Sequence, residues 1–309
     1  MTLSAPNLTP LLNRLNTETS EIALGFIGMG LMGIPMSRRL HSAGFDLQIW
    51  NRDQQKLGNS LLNQLTKAES LQALCNHADV IMLCISDTLA VKDLLFGSNG
   101  IAPLLRPDQL IIDFSSISPD STREFSQQLL NTRGTHWVDA PVSGGVAGAE
   151  NGNLAIMAGG DQHIIEAVTP LLAPLAHRIT RMGEVGSGQA TKVCNQMLVS
   201  CNIAVIAEVL AMAEKAGVDS SLIPTALQGG FADSIPLQIS GARMANRELE
   251  DIKWTTKTLL KDLQMAAKLG NNSNAQTPMS ELAKSILTAH ADAGFLELDP
   301  ATLIKRYTE

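Results

Sequence analysis

Aromatic side chains are scarce. Phe, Trp and Tyr together make up 4% of the 309 residues, and there is a single tyrosine. Ala, Leu, Ile, Val and Met carry most of the 45% hydrophobic content. That balance favours helices packed on a buried sheet over an all-β sandwich. Positive charge is also sparse. The formal net charge is −7 and no basic tract occurs, which argues against a nucleic-acid partner. Four cysteines are present, Cys75, Cys84, Cys194 and Cys201, with no CxxC pair. They read as reduced core thiols of a cytoplasmic protein. The six histidines show no HxxxH or HxH spacing, so no metal site is expected. No run approaches about 18 uninterrupted apolar residues, so no membrane span is expected. Residues 1–21 lack a basic start and a long apolar stretch, and do not read as a signal peptide. Leu8, Leu11, Leu12 and Leu15 are spaced for a short amphipathic helix, though a loose tail would fit equally.

From residue 22 to about 183, apolar runs alternate with helical patterns. The runs are IALGFIG, DLQIWN, VIMLCIS, QLIIDFS, HWVDAPVS, LAIMAGG and the weaker RITRMG. Several are apolar nearly throughout, as in parallel strands covered on both faces. Between them lie MGIPMSRRLHSAG, SPDSTREFSQQLLNTRG and DQHIIEAVTPLLAPLA, the last with Asp161 as a suitable N-cap. The alternation predicts an α/β, Rossmann-like, doubly wound parallel sheet. Beyond Gly188 the strand-like runs stop and helical periodicity continues. The expected organisation is an N-terminal extension over residues 1–21, a dinucleotide-binding domain over 22–186 and an all-helical domain over 187–309, joined by a long helix. A cleft at that junction would place Lys192 on its wall.

The segment GFIGMGLMG holds Gly28, Met29, Gly30, Leu31, Met32 and Gly33 in a GxGxxG turn between a strand and a helix. In that context Gly28 permits the tight turn, Gly30 lets the backbone approach a pyrophosphate, and Gly33 lets helix and strand pack closely. The helix N-terminus offers amide donors to phosphate. The next strand ends in Asn51 and Arg52 where NAD-binding versions carry a carboxylate for the ribose. Asn and Arg can bind a 2′-phosphate that a carboxylate would repel, so NADP(H) is expected over NAD(H). Asp53 fits better as the cap of the following helix.

Between Glu184 and Glu208 only Lys192 carries a formal charge. A lone Lys in an apolar helix is either desolvated for acid–base work or a stem that snorkels to water. Gln189, Asn195 and Gln196 share its face. Upstream, Ser143, Gly144 and Gly145 in DAPVSGG offer a hydroxyl and two unobstructed amides to a carboxylate. Ser115 and Ser116 end another strand and could line a nicotinamide pocket. Lys261, in LLKDLQMA, is either a second site cation or a surface Lys paired with Asp262.

GFIGMGLMGIPM, DAPVSGG with GNLAIMAGG, GEVGSGQATKVCNQ and KDLQMA, in this order, resemble the β-hydroxyacid dehydrogenase family. That family includes 3-hydroxyisobutyrate dehydrogenases and tartronate semialdehyde (2-hydroxy-3-oxopropionate) reductases. The resemblance runs from about Ile22 to about Asp299. It implies Lys192 as the catalytic lysine and Ser143, Gly144 and Gly145 as the substrate-carboxylate turn. It implies Asn195 or Gln196 as the substrate-orienting amide, and Lys261 near cofactor and substrate. Members often carry Asn-Asn where this chain has Asn195-Gln196. That departure and the segment GGFADS stand nearer to tartronate semialdehyde reductases. The implied activity is NADPH-dependent interconversion of a small 3-hydroxy acid and its semialdehyde, in a homodimer or homotetramer. A 3-hydroxyisobutyrate, succinic semialdehyde or glyoxylate enzyme is the alternative. Imine reductases on this scaffold, and non-catalytic nucleotide-binding relatives, usually lack the lysine that Lys192 retains.

Overall fold

The computed structural model describes residues 9–17 and 21–308. The chain divides into two compact units, Met1–Lys192 and Val193–Glu309.

The first unit is built on strands β1 (Leu24–Ile27), β2 (Leu47–Trp50), β3 (Thr66–Lys67), β4 (Val80–Leu83), β5 (Leu110–Asp113), β6 (His136–Asp139), β7 (Val142–Ser143), β8 (Leu154–Gly159) and β9 (Ala176–Gly183). Its helices are α1 (Thr9–Thr17), α2 (Gly33–Ser42), α3 (Leu71–His77), α4 (Thr88–Phe96), α5 (Pro119–Arg133), α6 (Gly145–Asn151) and α7 (Gln162–Leu172). The sheet order is β3-β2-β1-β4-β5-β6-β8-β7, with β9 paired to β8. Strands β1 to β6 are all parallel. Their near-continuous apolar character has a direct cause. In β4, Val80 and Met82 enter the core on one face while Ile81 and Leu83 enter the core on the other. Both faces are covered, so neither register position can be polar.

The parallel pattern expected for the later runs is corrected at β8, which runs antiparallel to β6 and β7. HWVDAPVS is two strands, because Pro141 interrupts it and has no N–H to donate. The link from β7 to β8 carries only the seven-residue α6, too short for a parallel crossover. The weak run RITRMG lies in β9, the longest strand, whose half-exposed pattern explains its low hydrophobicity.

Helix ends follow local chemistry. Ser70, Asp87, Ser118 and Asp161 each accept a backbone N–H at the start of their helices. Asp161 is the cap expected from sequence. The N-terminal helix α1 is docked rather than loose: Leu11 and Leu15 are buried in the unit's core. Arg14 forks onto Asp79 at 2.9 and 3.1 Å. Leu8 lies outside the described residues.

Helix α8 (Ser187–Lys215) crosses the division between the units, which falls just after Lys192. Val193, Gln196, Ser200, Ile203, Ala207 and Leu210 are buried at three- and four-residue spacing. An 18-residue stretch reaches a mean hydropathy of 1.7, enough by length and composition to cross a membrane. Its apolar face is instead in the core of the second unit, and α8 is a core helix. The second unit continues with α9 (Ile223–Leu227), α10 (Ala242–Asn246), α11 (Thr256–Asn272), α12 (Pro278–His290) and α13 (Lys305–Thr308). Its described residues contain no strand.

Candidate functional site

Chain order reverses in the sheet between β1 and β4. A crevice is expected at such a switch point, beyond the carboxyl ends of the strands. A cavity of about 690 Å³ lies there. After β1 it is lined by Gly28, Gly30, Leu31 and Met32; after β2 by Asn51, Arg52, Asp53 and Lys56; after β4 by Cys84, Ile85 and Ser86. Asp93, Ser98 and Asn99 also face it.

The glycine turn is shaped by close approach. Gly28 has φ +109°, and a Cβ there would meet the Cys84 carbonyl at 2.3 Å. A Cβ on Gly33 would lie 1.8 Å from the Gly28 carbonyl oxygen, so only glycine lets α2 start this close to β1. A Cβ on Gly30 would meet nothing within 4 Å. Open space above Gly30, beside a helix N-terminus, fits a pyrophosphate. Two of the predicted turn residues do not face the cavity. Met29 is core, 1% exposed, and Gly33 is buried against the strand. They serve the turn through their backbone.

Asn51 has a part that sequence reading did not foresee. Its Oδ1 accepts from the Met29 N–H at 2.9 Å and its Nδ2 donates to the Asp53 carbonyl at 2.8 Å. The amide is committed to backbone at both ends and ties the glycine turn to the end of β2. Asp53 caps the following 3₁₀ turn by accepting from the Gln55 N–H. Arg52 is 80% exposed and reaches Asp93 only at 3.9 Å. Lys56, missed from sequence, is the second cation on this wall. Its place four residues beyond Arg52, on the turn that Asp53 starts, was the available signal.

Ser115 and Ser116 follow β5. The Ser115 hydroxyl accepts from the Ile85 N–H at 2.9 Å, and its own N–H donates to Asp113. Asp113 is fully buried, and one of its oxygens has no hydrogen-bond partner among the described residues. Burial pushes its carboxyl up to about 7, opposed by the bonds from Ser115. Ser116 is half-buried.

Asp139, at the end of β6, is also buried. It accepts from the Gly186 N–H at 2.7 Å and the Gln189 N–H at 2.9 Å, and so caps the start of α8. Burial raises its carboxyl to about 6, against the pull of those N–H donors. Lys192, half-buried, lies one turn farther along α8. Ser143 ends β7; Gly144 and Gly145 follow with φ +133° and +63°, their backbone exposed to solvent.

In the second unit, Gln196 is buried and donates to Asp262 at 2.5 Å. Asn195, half-buried, donates through Nδ2 to the Gln196 side-chain Oε1 at 2.8 Å. Lys261 lies 3.7 Å from Asp262, the ion pair that was one of its two expected settings. The core-thiol reading is corrected at Cys194, which is exposed; Cys84 and Cys201 are partly so, and all four thiols are free. Burial holds the Cys75 and Cys84 thiols up at about 12, so neither is a ready nucleophile. No group of three or more His, Cys, Asp or Glu could hold a metal among the described residues.

Residues 23–183 match the family described as the NAD binding domain of 6-phosphogluconate dehydrogenase. Residues 186–307 match the one described as NAD-binding of NADP-dependent 3-hydroxyisobutyrate dehydrogenase. The chain is 36% identical to 2-hydroxy-3-oxopropionate reductase of Escherichia coli, over 91% of this chain and 96% of that one. It is 33% identical to the probable mitochondrial 3-hydroxyisobutyrate dehydrogenase-like 3 of Arabidopsis thaliana, over 88% and 82%. The solved 3-hydroxyisobutyrate dehydrogenase of Mycobacterium tuberculosis with L-serine is similar at a TM-score of 0.83 and 28% identity, over 94% of this chain and 100% of that one. A switch-point cavity with a glycine turn, in a chain with these relatives, defines an oxidoreductase that binds a nicotinamide dinucleotide. Within that class the chain belongs to the β-hydroxyacid dehydrogenase family.

Proposed function

We propose that the chain is an NADPH-dependent reductase of a small aldehyde acid, with tartronate semialdehyde (2-hydroxy-3-oxopropionate) as the preferred substrate. One observation carries the reading. The first turn of α8, which leads to Lys192, is fastened to the ends of β5 and β6. These strands continue the row whose carboxyl ends form the dinucleotide cavity. A bound dinucleotide would supply the hydride. The Lys192 ammonium donates a proton to the oxygen of the developing alkoxide, and as an amine takes it back in the oxidative direction. Its charge also stabilises that oxygen, by a few kcal/mol in comparable sites. The Ser143 hydroxyl and the N–H groups of Gly144 and Gly145 hold the substrate carboxylate. Asn195 or Gln196 supplies the amide that orients the substrate, Asn195 being the less buried of the two, and Lys261 is a further polar contact. Ser116 faces the nicotinamide end. Arg52 and Lys56 take the 2′-phosphate, which is the basis for preferring NADPH.

The 36% identity to a 2-hydroxy-3-oxopropionate reductase supports the substrate assignment. Leu198, Val205 and Met212 form an exposed apolar row, seven residues apart on α8, which supports a homodimer or homotetramer. Free thiols fit a cytoplasmic location. The test is oxidation of NADPH and NADH against tartronate semialdehyde, methylmalonate semialdehyde, succinic semialdehyde and glyoxylate. The highest kcat/KM is expected for NADPH with tartronate semialdehyde. No turnover of any of the four, or a preference for NADH, contradicts the assignment.

A further inference from the structure

Gln189 is 1% exposed in the first turn of α8. Its Nε2 donates to the Ser115 carbonyl at 2.7 Å and its Oε1 accepts from the Ile117 N–H at 3.2 Å. The side-chain amide therefore spans the backbone on both sides of Ser116. The Gln189 N–H is itself held by Asp139. On the far side, the Ser115 hydroxyl accepts from Ile85, whose residue lines the dinucleotide cavity. There is little slack beneath. A Cβ on Gly188 would lie 2.3 Å from the Met157 carbonyl oxygen, so the helix start rests directly on β8. A continuous set of hydrogen bonds thus runs from the cavity wall through the Ser116 loop to the helix turn that precedes Lys192.

We infer that Gln189 is a positioning residue: by bridging the two peptide groups around Ser116, it fixes where Lys192 stands relative to the cofactor-facing end of β5. This rests on the reading that Lys192 is the proton donor. A buried amide with both ends satisfied by main chain is well suited to the task, because it can shift only by breaking two hydrogen bonds inside the protein. Proton transfer is steeply sensitive to placement, and a displacement of about 1 Å can cost about 100-fold.

Gln189→Leu removes both bonds, and Gln189→Glu removes the donor toward Ser115 while keeping shape and the acceptor for Ile117. The variants are compared with wild type and Lys192→Ala in steady-state kinetics, in dinucleotide binding by fluorescence, and with cofactor deuterated at the transferred position. For the Gln189 variants kcat is expected to fall about 10- to 100-fold. NADPH affinity should stay within about 3-fold, and the deuterium effect on kcat should rise as chemistry becomes limiting. In Gln189→Glu the ratio of variant to wild-type kcat should recover at low pH, where the introduced carboxyl gains a proton and can donate again. Taking the ratio removes the pH dependence that the two proteins share. If Gln189→Leu fails to fold, the isosteric variant decides. Wild-type kcat and isotope effect in folded Gln189 variants, with Lys192→Ala inactive, overturns the bridge alone. Loss confined to NADPH affinity does the same. An active Lys192→Ala overturns the proton-donor reading and the bridge with it.

Discussion

Both units bury carboxylates, and they satisfy them in opposite ways. In the helical unit Asp299 is fully buried and meets the Arg243 guanidinium at 2.9 Å, with the Lys253 and Ala301 N–H groups on its remaining lone pairs. In the sheet unit Asp113 and Asp139 are equally buried, but they accept from the N–H groups of Ser115, Gly186 and Gln189 at strand and helix ends. The cations at the cavity differ in the same sense. Arg243 is sealed against its partner, whereas Arg52 stands mostly in solvent with a carboxylate at 3.9 Å. The helical unit spends Arg243 and Asp299 on its own fold. The strand ends of the sheet unit use carboxylates to fix backbone, and Arg52 and Lys56 stand at the cavity rim.

The sharpest way to break that contrast is Arg243→Ala. It strands a buried Asp299, and should cost about 3–5 kcal/mol of stability by denaturant unfolding. A loss below about 1 kcal/mol would show that the pair is not internal to the fold as described. Asp113→Asn should act in the other direction, and only at high pH. A carboxyl raised to about 7 in the folded state, from 3.8, binds its proton more tightly folded than unfolded. Its contribution to stability is therefore full below pH 3.8 and is lost as pH rises through about 7. The variant should melt like wild type near pH 4 and a few degrees above it at pH 8. An equal Tm difference at both values would contradict a burial-driven shift. The smallest effect is expected at the rim: Arg52→Ala should lower the NADPH-over-NADH preference about 10-fold, leaving kcat with saturating NADPH nearly unchanged. An unaltered ratio would move the 2′-phosphate contact elsewhere.

The features legible in the sequence are those that backbone geometry imposes. The glycine turn could be read because Gly28 and Gly33 are required by atoms 2.3 and 1.8 Å from any Cβ. The covered parallel strands could be read because residues such as Ile81 and Met82 face apolar layers on both sides. Asp161 and Asp53 were recognisable as caps because a cap is local. What depended on distant partners was hidden. Asn51 looks like a ligand-reading amide until Met29 and Asp53 are seen to occupy it. Gln189 looks like one more polar residue beside Lys192, and its partners lie more than 70 positions away. The turn of β8 against β6 was invisible because an apolar strand reads the same in either direction. Docking of α1 was undecided because Leu11 and Leu15 would have the same spacing in a tail.

The most direct measurement is the turnover number of Lys192→Ala with tartronate semialdehyde at saturating NADPH, taken alongside the NADPH Kd. A fall in kcat of at least about 100-fold, with Kd within about 2-fold of wild type, is predicted for an amine that acts on the substrate oxygen. Turnover close to that of wild type would contradict the account.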